Sequence, residues 1–443
     1  MPWIRRSYLR SDEMGTLGKL KNGVLEYMEK LKDPYIVSNF QNFFGVYRID
    51  VKRNGYDSKG NSSGSHHLLN KRKVKTKLNG NFNICTENFE EEVIQNNNSC
   101  NSDDAEVSDI EPESRPYRID NKFWYCIFSI SASLGYEKFY WGFFPFWFWN
   151  IDGAVGRRVV LVWVIVMYVG QALKDVIRWL RPSSPPVVHL EPEYVKEYGM
   201  PSTHAMLAAA VPFSLLIFTM HRYEYQFAVG LFICSVCCLL VCISRLYMGM
   251  HTVLDIIGGL VLVSLLMIIV VPLVDYIDHF QLTCVYSPLV ILSASVAMAI
   301  LYPKSDRRSP ARGDTTIILG TGAGIYLGAW LNFQLGIIRG PGLPPPYQII
   351  WPDYTLVGLA LLRASIGILC VVASRAFFKS LSYAIVCYIL RLDPNALETK
   401  QKTVVEMSYK FITYTTIGIM ITYISPIVFR FLNIERITMF TEV

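Results

Sequence analysis

From Phe123 onward the chain passes through one apolar stretch after another. Each is close to the ~20 residues that a helix needs to cross hydrocarbon. Lipid satisfies no backbone N–H or C=O, so such runs must close their hydrogen bonds within helices. They centre within 123–148, 157–177, 204–220, 226–243, 252–275, 282–302, 315–338, 355–375 and 410–432. The expected fold is all-α, a polytopic transmembrane helical bundle of about nine spans, with the shorter segment Leu381–Leu392 in the interface. Composition agrees: 52% hydrophobic and only 18% charged residues exclude an ordinary soluble enzyme.

Residues 1–116 break this pattern. They are rich in Asn, Ser, Lys and Glu, with a Gly/Ser patch at 60–65, and hold too little apolar surface for a substantial core. This polar N-terminal region is expected to be largely disordered. The exception is an amphipathic helix within 18–46, where Leu20, Val24, Leu25, Met28 and Leu31 recur at helical spacing and suit the membrane surface or the body of the protein. Arg5, Arg6, Arg10, Asp12 and Glu13 interrupt the N-terminus, so no cleavable secretory signal is expected and an internal span directs insertion. The net charge of +6 hides a basic run, Lys71–Lys77, and an acidic one, Asp103–Glu113. Both read as solvated tail, with anionic lipid the alternative contact for the basic run.

Cys234, Cys237, Cys238 and Cys242 share one apolar run, which argues against a disulfide framework. No His, Asp or Glu accompanies them, so they read as small packing residues and no structural metal is expected. Trp141, Trp147 and Trp149 have the pattern of an aromatic belt. Gly320, Gly322, Gly324 and Gly328 allow close approach of another helix.

Three stretches carry the polar chemistry: Lys174–Pro182 (KDVIRWLRP), Pro201–His204 (PSTH) and Ser244–Asp255 (SRLYMGMHTVLD). By span parity all three fall at one membrane face. Lys174 and Arg181 are seven residues apart, about two turns, and share a helix face if the second span continues to Pro182. Arg245 adds a planar fork suited to bidentate phosphate binding. Three cations in one pocket repel unless an anion joins them. Pro201–His204 opens the third span with small residues, so unpaired N–H groups and the helix dipole form an anion cradle, to which Ser202 adds a hydroxyl and His204 an imidazole. His251 and Asp255, four apart, share one face of the fifth span. Asp255 can accept the Nδ1 proton of His251, leaving Nε2 to attack phosphorus.

Each residue also has a blander reading. Lys174, Arg181 and Arg245 can be interfacial anchors, His204 a satisfied polar group, Ser244 a cap, and His251 with Asp255 a helix-stabilising pair. Their joint placement at one face favours a phosphate-ester site, because phosphoryl transfer asks mainly for positioning and charge neutralisation.

The pattern Lys-x6-Arg-Pro, Pro-Ser-small-His and Ser-Arg-x5-His-x3-Asp resembles the type 2 phosphatidic acid phosphatase superfamily. Longer segments, among them RPSSPPVV, EYGMPSTHAM, LKDPYIVSNFQNFFGV and YKFITYTTIGI, are similar to sphingosine-1-phosphate phosphatases. Thr203 stands where the wider superfamily usually has Gly, and the sphingosine-1-phosphate branch is similar in carrying Thr. The resemblance implies a transmembrane phosphatase domain over 117–443 with its catalytic core at about 157–275. It implies that His251 attacks phosphorus to give a phosphohistidine, that Asp255 orients and supports it, and that His204 protonates the leaving alkoxide and then serves as base for water. Lys174, Arg181, Ser202, Thr203 and Arg245 would hold the phosphoryl oxygens, with no metal or cofactor.

The implied substrates are sphingosine 1-phosphate and related long-chain base phosphates, drawn from membrane lipid. The residues alone do not separate these from phosphatidate, isoprenoid phosphates or a sugar phosphate, and they name no carboxylate for a substrate ammonium. A phosphotransferase or another lipid phosphatase of the superfamily is the enzymatic alternative. A lipid or ion transporter is the alternative of another class, and it has no need of the His251–Asp255 pair. The resemblance implies the endoplasmic reticulum membrane and a lumenal site, whereas Lys304, Arg307, Arg308 and Arg312 at the catalytic side favour the cytosol by the positive-inside tendency. Sequons at Asn61 and Asn97 bear on that question. No nucleic-acid partner is expected, and the terminal Thr441, Glu442 and Val443 have the form of a PDZ-domain ligand.

Overall fold

The computed structural model describes residues 22–23, 25–49, 117–306, 310–338, 340, 344–396, 398–399, 402–436 and 438–442. The basic and acidic runs, both sequons, Arg307, Arg308 and Val443 lie outside them. Two compact units divide the chain: residues up to Arg48 together with Tyr117 onward, and Ile49–Pro116.

Helix α1 (Pro34–Phe43) starts at Asp33, whose carboxylate accepts the Tyr35 N–H, with Pro34 at the first position, where its missing N–H costs nothing. Strand β1 (Val46–Arg48) then pairs antiparallel with β2 (Tyr117–Ile119), Val46 opposite Ile119. Arg48 and Tyr117 are thereby held opposite each other.

Next come α2 (Lys122–Ser133), α3 (Glu137–Asn150), α4 (Gly153–Ile177), α5 (Thr203–Met220), α6 (Phe227–Tyr247) and α7 (Val253–Thr283). After them run α8 (Ser287–Leu301), α9 (Ala311–Gln334), α10 (Tyr354–Leu390), α11 (Thr403–Ile419) and, past a π-turn, α12 (Ser425–Phe431). Among the described residues seven helical stretches are long and apolar enough to cross a membrane: α4, α5, α6, α7, α9, α10 and the α11–α12 rod. The first expected span is divided instead, breaking into α2 and α3 at Leu134–Tyr136, and the sixth is the 15-residue α8. Leu381–Leu390 belongs to the 37-residue α10 and forms no separate interfacial piece.

Large apolar side chains such as Phe232 (70% exposed), Ile268 (71%) and Leu369 (70%) point outward from α6, α7 and α10. In water they would form an untenable patch; in lipid they are solvated, as befits a multi-pass membrane protein. The most enclosed span is α9, with 78% of its apolar window buried against 11% for α10. Lipid provides no hydrophobic force between helices, so close packing has to hold α9 in place. Its glycine stripe does so: a Cβ on Gly324 would lie 2.0 Å from the Thr415 carbonyl oxygen, and one on Gly320 2.9 Å from that of Phe411. The aromatic-belt expectation fails at Trp149, which is fully buried and donates from Nε1 to the Ile421 carbonyl at 2.9 Å.

The C-terminal tail folds back on the end of the bundle opposite the three motifs. Glu442 is buried, accepts the Gly153 N–H at 2.5 Å and pairs with Arg436 at 2.9 Å. A PDZ domain needs that segment extended and free, and burial of Glu442 opposes this.

Candidate active site

Helix α4 delivers Lys174 and then stops: Arg178 takes the left-handed conformation (φ 56°) and its N–H caps the Lys174 carbonyl. Lys174 and Arg181 therefore do not share a helix face, because the helix ends before Pro182 is reached. They meet by a turn of the chain. Lys174 Nζ lies 3.0 Å from Glu197 Oε2, and Arg181 Nη2 lies 3.6 Å from the same oxygen. Arg181 also donates from Nε to the Glu197 carbonyl at 3.1 Å and from Nη1 to the Met250 carbonyl at 2.8 Å.

Arg245, in the last turn of α6, spans both oxygens of Glu191 at 3.2 and 2.8 Å. Its Nε is buried without a partner, so one donor remains for a ligand. Glu191 further accepts from the Tyr136 hydroxyl. Glu191 and Glu197 thus supply the anions that three converging cations require. Sequence reasoning did not name either one; the unanswered cation repulsion was the signal that could have done so.

Ser202 caps α5 through its hydroxyl, 3.5 Å from the Ala205 N–H, and its own N–H reaches the Asp255 carbonyl at 3.1 Å. The first-turn amides of Thr203 and His204 have no helical acceptor and stay available to an anion. The Thr203 side chain, by contrast, turns its methyl toward Gly170 of α4, so among its groups the backbone amide is the one suited to phosphate. The His204 ring rests edge-on to Tyr136 at 5.3 Å, with Nε2 buried and unpartnered. Gly135 backs it so closely that a Cβ there would fall 2.1 Å from His204 Cδ2. The break between α2 and α3 is therefore what admits the imidazole.

His251 is 1% exposed. Its Nε2 faces Arg181 Nη1 at 3.4 Å, while Nδ1 faces Asp255 Oδ2 at 3.9 Å. Asp255 forms a capping box with Thr252, accepting its N–H at 2.7 Å. Burial, then the cations Arg181, Arg245 and Lys174, hold the His251 pKa well below the usual 6.5. The imidazole is accordingly neutral and nucleophilic at neutral pH. Burial lowers Arg181 to about 10, with Glu197 opposing and Arg245 reinforcing the effect, so it stays charged. For Glu197 burial acts upward, but Lys174 and Arg181 outweigh it and keep the carboxyl below its ordinary value.

Gln41 of α1 ties these loops together. Its amide donates to the Val188 and Tyr247 carbonyls at 2.7 and 2.9 Å and accepts the Val188 N–H at 3.0 Å. Among the described residues no group of three His, Cys, Asp or Glu side chains is placed to hold a metal ion.

The motif residues fall inside a matched region, the PAP2 superfamily pattern over residues 156–278. The human protein named sphingosine-1-phosphate phosphatase 2 is 43% identical over 321 residues, covering 72% of this chain and 80% of that one. The chain belongs to the sphingosine-1-phosphate phosphatase family, within the PAP2 superfamily. The rat sphingosine-1-phosphate phosphatase 1 is likewise 43% identical, over 72% of this chain and 74% of its own. An Arabidopsis thaliana protein named lipid phosphate phosphatase delta is 29% identical over 205 residues, 44% of this chain and 49% of that one. No solved structure matches. The PAP2 region runs from the start of α4 to the last turns of α7, so it contains every motif residue but not Gly135, Tyr136 or Gln41, which other parts of the chain bring to the site.

Proposed function

We propose that this protein is a lipid phosphate phosphatase that hydrolyses sphingosine 1-phosphate and related long-chain base phosphates to the free base and inorganic phosphate. Family membership supports the activity and substrate class. The observation that carries the chemistry is His251 Nε2 facing Arg181 Nη1 at 3.4 Å inside the cationic pocket. In this reading a phosphoryl group held by Lys174, Arg181, Arg245 and the α5 amides presents its phosphorus to that nitrogen.

In the first step the His251 Nε2–P bond forms as the P–O bond to the lipid breaks, and His204, as the imidazolium that the bound phosphate dianion favours, gives the alkoxide its proton. Asp255, beside Nδ1, supports the positive ring. In the second step water loses a proton to His204 and attacks phosphorus, releasing phosphate and restoring neutral His251. The fixed cations neutralise charge on the equatorial oxygens throughout. A membrane-embedded bundle suits an amphiphile whose chain stays in lipid while its phosphate reaches the pocket.

His251→Ala is expected to abolish phosphate release from the purified protein, and a variant that still hydrolyses substrate removes the nucleophile assignment. Analysis of products with and without an acceptor alcohol separates hydrolysis from transfer. The proposal includes an endoplasmic reticulum location with a lumenal site. It rests on the family resemblance, and glycan occupancy at Asn61 or Asn97 tests it, since the strands that flank them in sequence, β1 and β2, pack with Val188, Tyr247, Met248 and Met250 beside the motifs.

A further inference from the structure

The phosphate-binding cations are already occupied by carboxylates of the chain itself. In the Lys174–Glu197, Arg181–Glu197 and Arg245–Glu191 pairs, each side chain is 10% exposed or less. Both glutamates come from the irregular segment between α4 and α5, on either side of a single 3₁₀ turn at Pro192–Tyr194. Neither side chain is fixed by a regular ladder, yet their anchoring differs. Glu191 is gripped by both oxygens and by Tyr136, and Arg245 keeps its unpartnered Nε for a ligand. Glu197 is held by its carboxylate to Lys174 and Arg181 and by its carbonyl to Arg181 Nε.

A phosphate dianion must take the positions on Lys174 and Arg181 that Glu197 now fills. The backbone contact to Arg181 would keep the displaced residue beside the pocket. A buried carboxylate without a partner is costly, so displacement is tolerated only if a new cation arrives. A long-chain base phosphate carries one, an ammonium on the carbon next to the one that bears the phosphate ester.

We propose that Glu197 is a specificity-determining residue, which pairs with Lys174 and Arg181 and receives the substrate ammonium when phosphate displaces it. The two internal pairs of Glu197, with Lys174 and with Arg181, are exchanged for intermolecular ones, both cations to phosphate and Glu197 to ammonium, and no charge is left unpaired. A phosphate monoester lacking the amine offers the same phosphate but strands Glu197. The inference rests on long-chain base phosphates being substrates, as proposed above.

The test compares sphingosine 1-phosphate with its analogue bearing hydroxyl in place of the amine, using the full chain and its Glu197→Gln variant, with inorganic phosphate as inhibitor. Wild type is expected to favour the amine in kcat/KM by roughly ten- to a hundredfold. Glu197→Gln is expected to bring that ratio near one and to bind inorganic phosphate about tenfold more tightly, because no carboxylate competes. Equal losses on both lipids with unchanged phosphate inhibition would reduce Glu197 to a positioning residue and overturn the proposal. So would a wild type indifferent to the amine, a result that needs no variant to fold. Failure of the underlying reading looks different: wild type would release phosphate from neither lipid.

Discussion

His251 Nδ1 stands 3.9 Å from Asp255 Oδ2, beyond hydrogen-bond reach, while that same oxygen accepts the Thr252 N–H at 2.7 Å. Asp255 therefore caps α7 and only faces the imidazole. Its other oxygen is buried without a partner. A positive ring on His251, as the proposed phosphohistidine requires, would draw the two together, so the gain would come as charge develops in the transition state.

Asp255→Asn separates these two duties. An amide oxygen can still accept the Thr252 N–H, so stability should fall by no more than about 1 kcal/mol. The turnover number should fall by about 10²–10⁴, the scale expected when an imidazole loses its orienting anion. Thermal unfolding and phosphate release, measured together, check both; a variant with ordinary turnover would leave Asp255 as a cap alone.

His204→Asn tests general acid catalysis through the leaving group. Loss of the acid should slow sphingosine 1-phosphate hydrolysis by about 10²–10⁴. Nitrophenolate leaves without protonation, so its burst from nitrophenyl phosphate should be slowed far less. Matching losses on the two substrates would count against the role of His204 in expelling the alkoxide.

Gly135→Ala places a methyl where only 2.1 Å separates it from His204 Cδ2. The ring must shift, and a displacement of about an ångström in a catalytic group can cost on the order of 10²-fold in rate. Turnover should drop at least tenfold while the bundle unfolds within a few degrees of wild type. An unaltered turnover would show that the α2–α3 break gives no precise backing to the imidazole.

Acid should destabilise the protein partly through His251. Its folded pKa lies below the usual 6.5, so between those two values the unfolded chain binds a proton that the folded chain does not. Stability is therefore complete above about pH 6.5 and lost as pH falls, by up to about 1.4 kcal/mol per unit for this one group. His251→Gln should unfold with a shallower dependence on pH between 7.5 and 5.5, and parallel profiles would contradict a neutral buried imidazole.

Much of the site was legible because its residues sit at the ends of apolar runs, where spacing and parity fix the membrane face. Lys174, Arg245, His204 and His251 were placed that way. The helix shared by Lys174 and Arg181 was not, since a left-handed residue at Arg178 ends α4 early and no strong sequence signal marks an arginine for that conformation. The split of the first span was equally hidden: Gly135 and Tyr136 interrupt an apolar, aromatic run at the place where the His204 ring, from a distant helix, packs against them.

Sequence alone determined the medium and the chemistry. Apolar runs of membrane length force a helical bundle, and three motifs at fixed spacing commit the chain to handling a phosphate ester. Tertiary structure decided the charge balance of the pocket, because Glu191 and Glu197 lie in an irregular loop with no periodicity to assign them a face. It also decided how the site is braced, through Gln41, Gly135 and Tyr136. Local pattern reports which side of an element a residue occupies, whereas pairing across distant elements follows from packing and from the cost of leaving buried charge unanswered.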